Sequence, residues 1–156
     1  LMNFFLDDPF RLDALVMIPS LDLQQRIKKL LLSGLGKELH QPRYSMLANP
    51  RRLRYQNSNG WVLEVIAAAQ LGLNRADRAR IQSFLAQQGF EGDRIRLSPL
   101  AHLGAGMFKA NLHFTDHPAK AVAEGRYEVV TVRAIMRYLQ KTDGVWVGEL
   151  KTPQTP

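Results

Sequence analysis

Cysteine is absent from the 156 residues. That excludes disulfide scaffolds, thiol nucleophiles and cysteine-rich zinc sites. No uninterrupted apolar run approaches the roughly 18 residues needed to span a bilayer. The first nine residues carry Asp7 and Asp8 and no basic side chain, unlike a secretory leader. Cytoplasm is therefore the expected location. Internal repeats and low-complexity tracts are also missing.

Acid is scarce in one stretch. Between Arg26 and Arg54 the basic residues are Arg26, Lys28, Lys29, Lys37, Arg43, Arg51, Arg52 and Arg54, and the only acid is Glu38. This stretch accounts for the whole net charge of +7, and the remainder of the chain is balanced. Segregated charge creates a local field that attracts polyanions. Tyr44 and Tyr55 are interleaved with these cations, and Trp61 follows just beyond. Cations beside stacking rings make up single-strand and RNA contact surfaces. The same composition also suits an acidic protein partner or a solvated face.

Apolar residues form 46% and charged residues 22% of the chain, an ordinary globular mixture. The length fits one domain over residues 1–156. Two features stand out within it. One is an apolar N-terminal arm (1–19), punctuated by Pro9 and Pro19. The other is a basic irregular segment (37–60), interrupted by Pro42, Pro50 and the cluster Asn57-Ser58-Asn59-Gly60. A single short strand, Arg52 to Gln56, is predicted inside that segment.

Apolar spacing predicts a helix over Leu21–Leu32 with Ser20 as N-cap. Further helices are predicted over Trp61–Leu71, closed by Gly72, and from an Asn74 cap to about Gln88. After Gly89 the period changes toward two. Strands are predicted over Arg94–Leu97, Phe108–Phe114, Tyr127–Leu139 and Val145–Leu150, with Asp143-Gly144 as a hairpin turn. The fold class read from this order is α+β: a helical N-terminal half followed by a small antiparallel sheet ending in a β-hairpin. The long strand, tight turn and Trp-containing return near the C-terminus resemble the sheet of cone-shaped NTF2-like domains, a likeness that assigns no site.

Four constellations invite chemistry. Ala67 to Arg75 resembles the helix-turn-helix of bacterial regulators, with Gly89–Leu97 as a wing. That likeness implies Asn74, Arg75, Arg78 and Gln82 in a major groove. Arg78 departs from the pattern, because it stands where a buried aliphatic belongs. The commoner reading of such a turn is a plain helical hairpin. His102, His113 and His117 lie within 16 residues, beside Asp116, and three imidazoles suffice for zinc. The spacing matches no familiar zinc signature, and surface histidines are the plainer reading. Glu149 and Lys151 end a strand as in metal-dependent nucleases, with Asp116 or Asp143 as a possible third group. Gly104 and Gly106 near Lys109 lack the Lys-Ser/Thr ending of a P-loop. No cofactor and no metal are expected.

These observations point to a non-enzymatic protein that contacts nucleic acid, RNA or DNA. The expected phosphate contacts are Lys28, Lys29, Arg43, Arg51, Arg52 and Arg54. Tyr44 and Tyr55 are expected to stack on bases, and the helical hairpin would contribute Arg75 and Arg78. Two alternatives remain open. One is an accessory component of a larger protein or ribonucleoprotein assembly, docking through the apolar arm and the basic segment. The other is a metal-dependent hydrolase built on the three histidines.

Overall fold

A computed structural model describes residues 14–97 and 112–150. The predicted features at residues 1–13, at His102, at Gly104 to Lys109 and at Lys151 lie outside these residues, as does most of the predicted strand Phe108–Phe114. The described chain is mixed α+β. Its elements in order are β1 (Ala14–Ile18), α1 (Leu21–Leu32), α2 (Leu35–Glu38), α3 (Ser58–Leu71), α4 (Arg78–Gln87), β2 (Asp93–Arg96), α5 (Ala119–Ala123), β3 (Arg126–Val129), α6 (Val132–Thr142) and β4 (Trp146–Leu150).

The core is built around α3. Every residue from Leu63 to Ala69 is buried. A helix apolar on all sides must be wrapped by others. Leu23 and Leu30 of α1, Ile81 and Leu85 of α4, and Ala134, Ile135, Tyr138 and Leu139 of α6 join it in one cluster. The run Ala67-Ala68-Ala69 presents little side-chain bulk, so neighbouring helices approach closely. Asn57 caps the helix by accepting from the Gly60 amide at 2.6 Å, and Gly72 closes it in the left-handed region at φ 63°. The first turn is therefore Ser58-Asn59-Gly60, which composition alone marks as loop.

Four expectations are corrected here. Tyr127–Leu139 is not one strand: β3 stops at Val129 and α6 begins at Val132. The hydroxyl of Thr131 accepts from the Ala134 amide at 3.1 Å and starts the helix. Ala134, Ile135, Tyr138 and Leu139 then bury one face at spacings of one, three and four. Alternation of β-branched residues around Val129 to Val132 disguised that period. Asp143-Gly144 is accordingly a helix exit rather than a hairpin, with the Asp143 amide bonded to the Leu139 carbonyl at 2.8 Å.

β4 pairs antiparallel with β1, the end of the N-terminal arm, in the register Ile18↔Trp146 to Ala14↔Leu150. β2 pairs with β3. The expected cap at Asn74 moves to Asp77, whose carboxylate accepts from the Arg80 amide at 2.9 Å. The expected strand Arg52–Gln56 reduces to a single bridge between Tyr44 and Gln56.

The basic irregular segment is well tied down. The Gln56 amide bonds to the Arg43 carbonyl and the Ser45 amide to the Gln56 carbonyl. Gln56 Nε2 donates to the Leu39 carbonyl and to Glu64, and Gln41 Nε2 donates to the Leu53 carbonyl. Ser20 donates through both its amide and its hydroxyl to Asp143, at 2.7 Å each. That contact locks the start of α1 onto the end of α6.

Candidate nucleic-acid interface

The small β2–β3 ladder directs its side chains by simple alternation. Arg94 and Arg96 share one face, opposite Glu128 and Arg126 respectively. Ile95 and Tyr127 take the other face and pack against Leu47, Val129 and Phe114. Three of the four side chains on the outer face of this ladder are thus cationic. Arg96 stands directly across from Arg126, and both are exposed. Like charges in directly opposed positions destabilise a ladder.

The segment Asn49–Arg52 lies beside this face. Arg51 reaches across to Glu128, with Nε 3.3 Å from Oε2 and Nη2 3.2 Å from Oε1. Glu128 also accepts from the Gly92 amide at 3.1 Å. Between the segment, the ladder and the start of α5 runs a cleft of about 440 Å³. Arg51, Arg52, Arg94 and Arg126 line it together with Glu128, His117 and Pro118. Arg126 is paired with Glu124. Arg52, Arg94 and Arg96 have no carboxylate within ion-pair distance among the described residues.

Two residues of the cleft lining, Asn49 and His117, belong to a buried polar clamp. The Asn49 amide donates to Asp116 Oδ2 at 3.0 Å, and Asn49 Nδ2 donates to the Asp116 carbonyl at 3.3 Å. His117 Nε2 donates to the Leu47 carbonyl at 2.5 Å, while its Nδ1 faces Asn49 Nδ2 at 3.4 Å. The Leu47 carbonyl can only accept, so the Nε2 position carries a proton. The clamp holds the 47–51 backbone against the 116–118 turn and so sets the position of Arg51 and Arg52.

The expected contact residues are dispersed. Of the ten, only Arg51 and Arg52 line the cleft. Lys28 and Lys29 are exposed on α1, and Arg43 and Arg75 are exposed elsewhere. Tyr44 lines a separate, mostly apolar cleft of about 260 Å³ with His40, Ser58 and Trp61. The guanidinium of Arg54 lies 5.5 Å from the centre of the Tyr55 ring.

Two side chains turn inward instead. Tyr55 is 8% exposed, stacks on His113 at 4.7 Å between ring centres and shares a hydrogen bond with Thr115. Its faces are not offered to a base. Arg78 donates to Glu64 and to the Leu53 carbonyl. Gln82 donates to Glu64 as well, at 3.2 Å. Two of the four side chains expected in a major groove therefore hold α4 onto α3. The helices form a hairpin whose polar seam is internal.

Arg94, Arg96 and Arg126 were missed because acids near them in sequence balance their charge. Only strand pairing puts them on one face. Of the three histidines singled out from the sequence, His102 lies outside the described residues. His113 is stacked on Tyr55 and His117 is held in the clamp. Among the described residues no group of three His, Asp or Glu side chains is placed to hold a metal ion. None of the described helices is long and apolar enough to cross a membrane.

Neither the curated proteins nor the solved structures contain a match to this chain. A family model does match it, over residues 1–139, and that span includes the whole arginine cleft. The chain belongs to the bacterial family described as "Uncharacterized protein conserved in bacteria (DUF2145)".

Proposed function

We propose that the protein binds nucleic acid through the arginine cleft, with phosphates seated between the Asn49–Arg52 segment and the outer face of β2–β3. The observation that carries this reading is the lining of the cleft, where Arg51, Arg52, Arg94 and Arg126 gather around a single carboxylate, Glu128. Four arginines around one carboxylate leave the cleft with surplus positive charge that an anion would offset. Arginine suits that anion, because its planar fork matches phosphate oxygens two at a time. The working set is Arg51, Arg52, Arg94 and Arg126 in the cleft, with Arg96 opposite Arg126 on the same sheet face; it keeps two of the ten residues expected from sequence and adds three from the ladder.

The test is fluorescence anisotropy with short labelled RNA, single-stranded DNA and duplex DNA across a salt series. Affinity is expected to fall steeply with salt, because each neutralised phosphate releases counterions. The double variant R94A/R96A is expected to weaken binding at least tenfold and to flatten the salt dependence. Absence of binding by the wild-type protein at low salt would sink the proposal.

A second reading has its own observation. Ile18 and Trp146 face one another across β1–β4 and are 45% and 59% exposed, with Leu21 exposed nearby at the start of α1. This apolar patch suits docking in a larger assembly. Replacing Trp146 with Ser is expected to abolish any self-association seen in sedimentation. A wild-type protein that stays monomeric at high concentration would remove the support that self-association lends this reading.

A further inference from the structure

We infer that Glu128 is an internal competitor at the arginine cleft: it holds the Arg51 guanidinium in the free protein and yields it to a phosphate when nucleic acid binds. This inference rests on the reading of the cleft as a nucleic-acid site and names what regulates that site.

The carboxylate is built into the ladder. Pairing of β2 with β3 sets Glu128 opposite Arg94. The Gly92 amide donates to Glu128 Oε1 at 3.1 Å. That approach needs glycine, since a Cβ at Gly92 would meet the Val129 carbonyl oxygen at 2.7 Å and Glu128 Cγ at 2.9 Å. Glu128 is thus held by backbone as well as by Arg51. Among the described residues it is the one carboxylate in the cleft lining.

The hold on Arg51 is of a different kind. The Arg51 amide is fixed by Asn49 Oδ1 at 2.9 Å. Its guanidinium reaches Glu128 through bonds of 3.3 and 3.2 Å, with the two side chains 53% and 25% exposed. Charge-assisted bonds that lock a structure are shorter, about 2.7–2.9 Å. Arg78 and Glu64 show the contrast within the same chain: a fork of 2.6 and 2.8 Å, with side chains 14% and 3% exposed. A half-exposed pair adds little stability, so it exchanges partners easily.

A phosphodiester fits that exchange. Its two unesterified oxygens share one negative charge, as those of a carboxylate do, so Arg51 passes from one two-oxygen acceptor to another. Glu128 keeps the Gly92 amide after the exchange and stands across the ladder from Arg94. Its charge is therefore not left without compensation. The carboxylate lowers affinity in proportion to its hold on Arg51, and a weakly charged ligand cannot displace it.

The experiment measures anisotropy of one labelled single-stranded oligonucleotide across a salt series for wild type, E128Q and E38Q. E128Q retains an oxygen that can accept from Gly92 and removes only the charge. It is expected to bind about threefold or more tightly than wild type and to steepen the salt dependence by about one counterion. E38Q makes the same change in net charge on α2, outside the cleft lining, and is expected to leave affinity within about twofold. The Arg51 Nε–H resonance, assigned by its loss in R51K, is expected to move when wild-type protein is titrated with the oligonucleotide. That reading does not depend on how E128Q folds. An E128Q affinity at or below that of wild type, an equal gain from E38Q, or an Arg51 resonance that stays in place while the oligonucleotide binds would each overturn the inference and leave the cleft as a nucleic-acid site. Binding by neither wild type nor E128Q at low salt would overturn both.

Discussion

Arg78 grips Glu64 with two parallel hydrogen bonds, Nε to Oε2 at 2.6 Å and Nη2 to Oε1 at 2.8 Å. The pair joins α4 to α3, and the third guanidinium nitrogen, Nη1, donates to the Leu53 carbonyl at 2.7 Å. Gln56 and Gln82 complete the shell around the carboxylate. One buried ion pair thus fastens the basic segment to the helical core and holds the backbone that leads from Arg54 back to Arg51.

Breaking this pair on one side leaves a buried charge without a partner. The Glu64 side chain is 3% exposed and that of Arg78 is 14% exposed. R78A is expected to lower unfolding free energy by about 3 kcal/mol or more, read from urea denaturation. The double variant E64L/R78M is expected to lie much closer to the wild type, since it removes both charges and keeps volume. An R78A protein within about 1 kcal/mol of wild type would show that the pair is dispensable.

Acid sensitivity is expected to centre on Asp93 in β2. Its carboxyl is held below the usual aspartate range, chiefly by the Thr131 hydroxyl and then by the Arg137 guanidinium, with partial burial working the other way. A carboxylate with a lowered folded-state pKa stabilises the native state fully above its unfolded value of about 3.9 and loses that contribution as pH falls through the lower folded value. D93N is expected to cost about 1 kcal/mol at neutral pH, because the Arg137 partner is half exposed. It should also flatten the decline in stability below pH about 4. Thermal melts across pH check this, and an unchanged acid slope in D93N would exclude Asp93 as the source.

Two glycines in the left-handed region are expected to differ in cost. Gly125, at φ 62°, sits where a Cβ would meet the Leu97 carbonyl oxygen at 2.5 Å, and its own carbonyl accepts from the Leu97 amide. Gly144, at φ 63°, has open space around it. G144A therefore carries only the backbone cost of about 1 kcal/mol, whereas G125A adds a backbone clash and is expected to cost at least twice that. Equal melting temperatures for the two variants would contradict the packing around Gly125.

The expectations succeeded where a local cause was sufficient. Leu21–Leu32 forms a helix because Ser20 caps it and Leu23 and Leu30 meet the core at helical spacing. Gly72 ends α3 because only glycine takes that conformation cheaply. They failed where two periods competed. Residues around Val129 to Val132 satisfy a strand as readily as a helix, and the choice of helix beyond Thr131 follows from the space that Ala134, Ile135, Tyr138 and Leu139 fill against α3.

The candidate site divides in the same way. Composition by itself determined that this is a cysteine-free, basic α+β chain whose surplus charge lies between Arg26 and Arg54. It also determined that Arg51 and Arg52 stand on a proline-marked irregular backbone. Only the tertiary structure decided which cations stand together. Arg94, Arg96 and Arg126 are neutralised in any count along the chain, yet antiparallel pairing of β2 with β3 gathers them on one face, and Arg94 and Arg126 line the cleft with Arg51 and Arg52. Arg78 and Tyr55 look like contacts in sequence and are drawn inward by Glu64, His113 and Thr115. The physical reason is that charge adds over distances in space, and strand pairing brings together residues thirty or more positions apart while burial removes close neighbours from the surface.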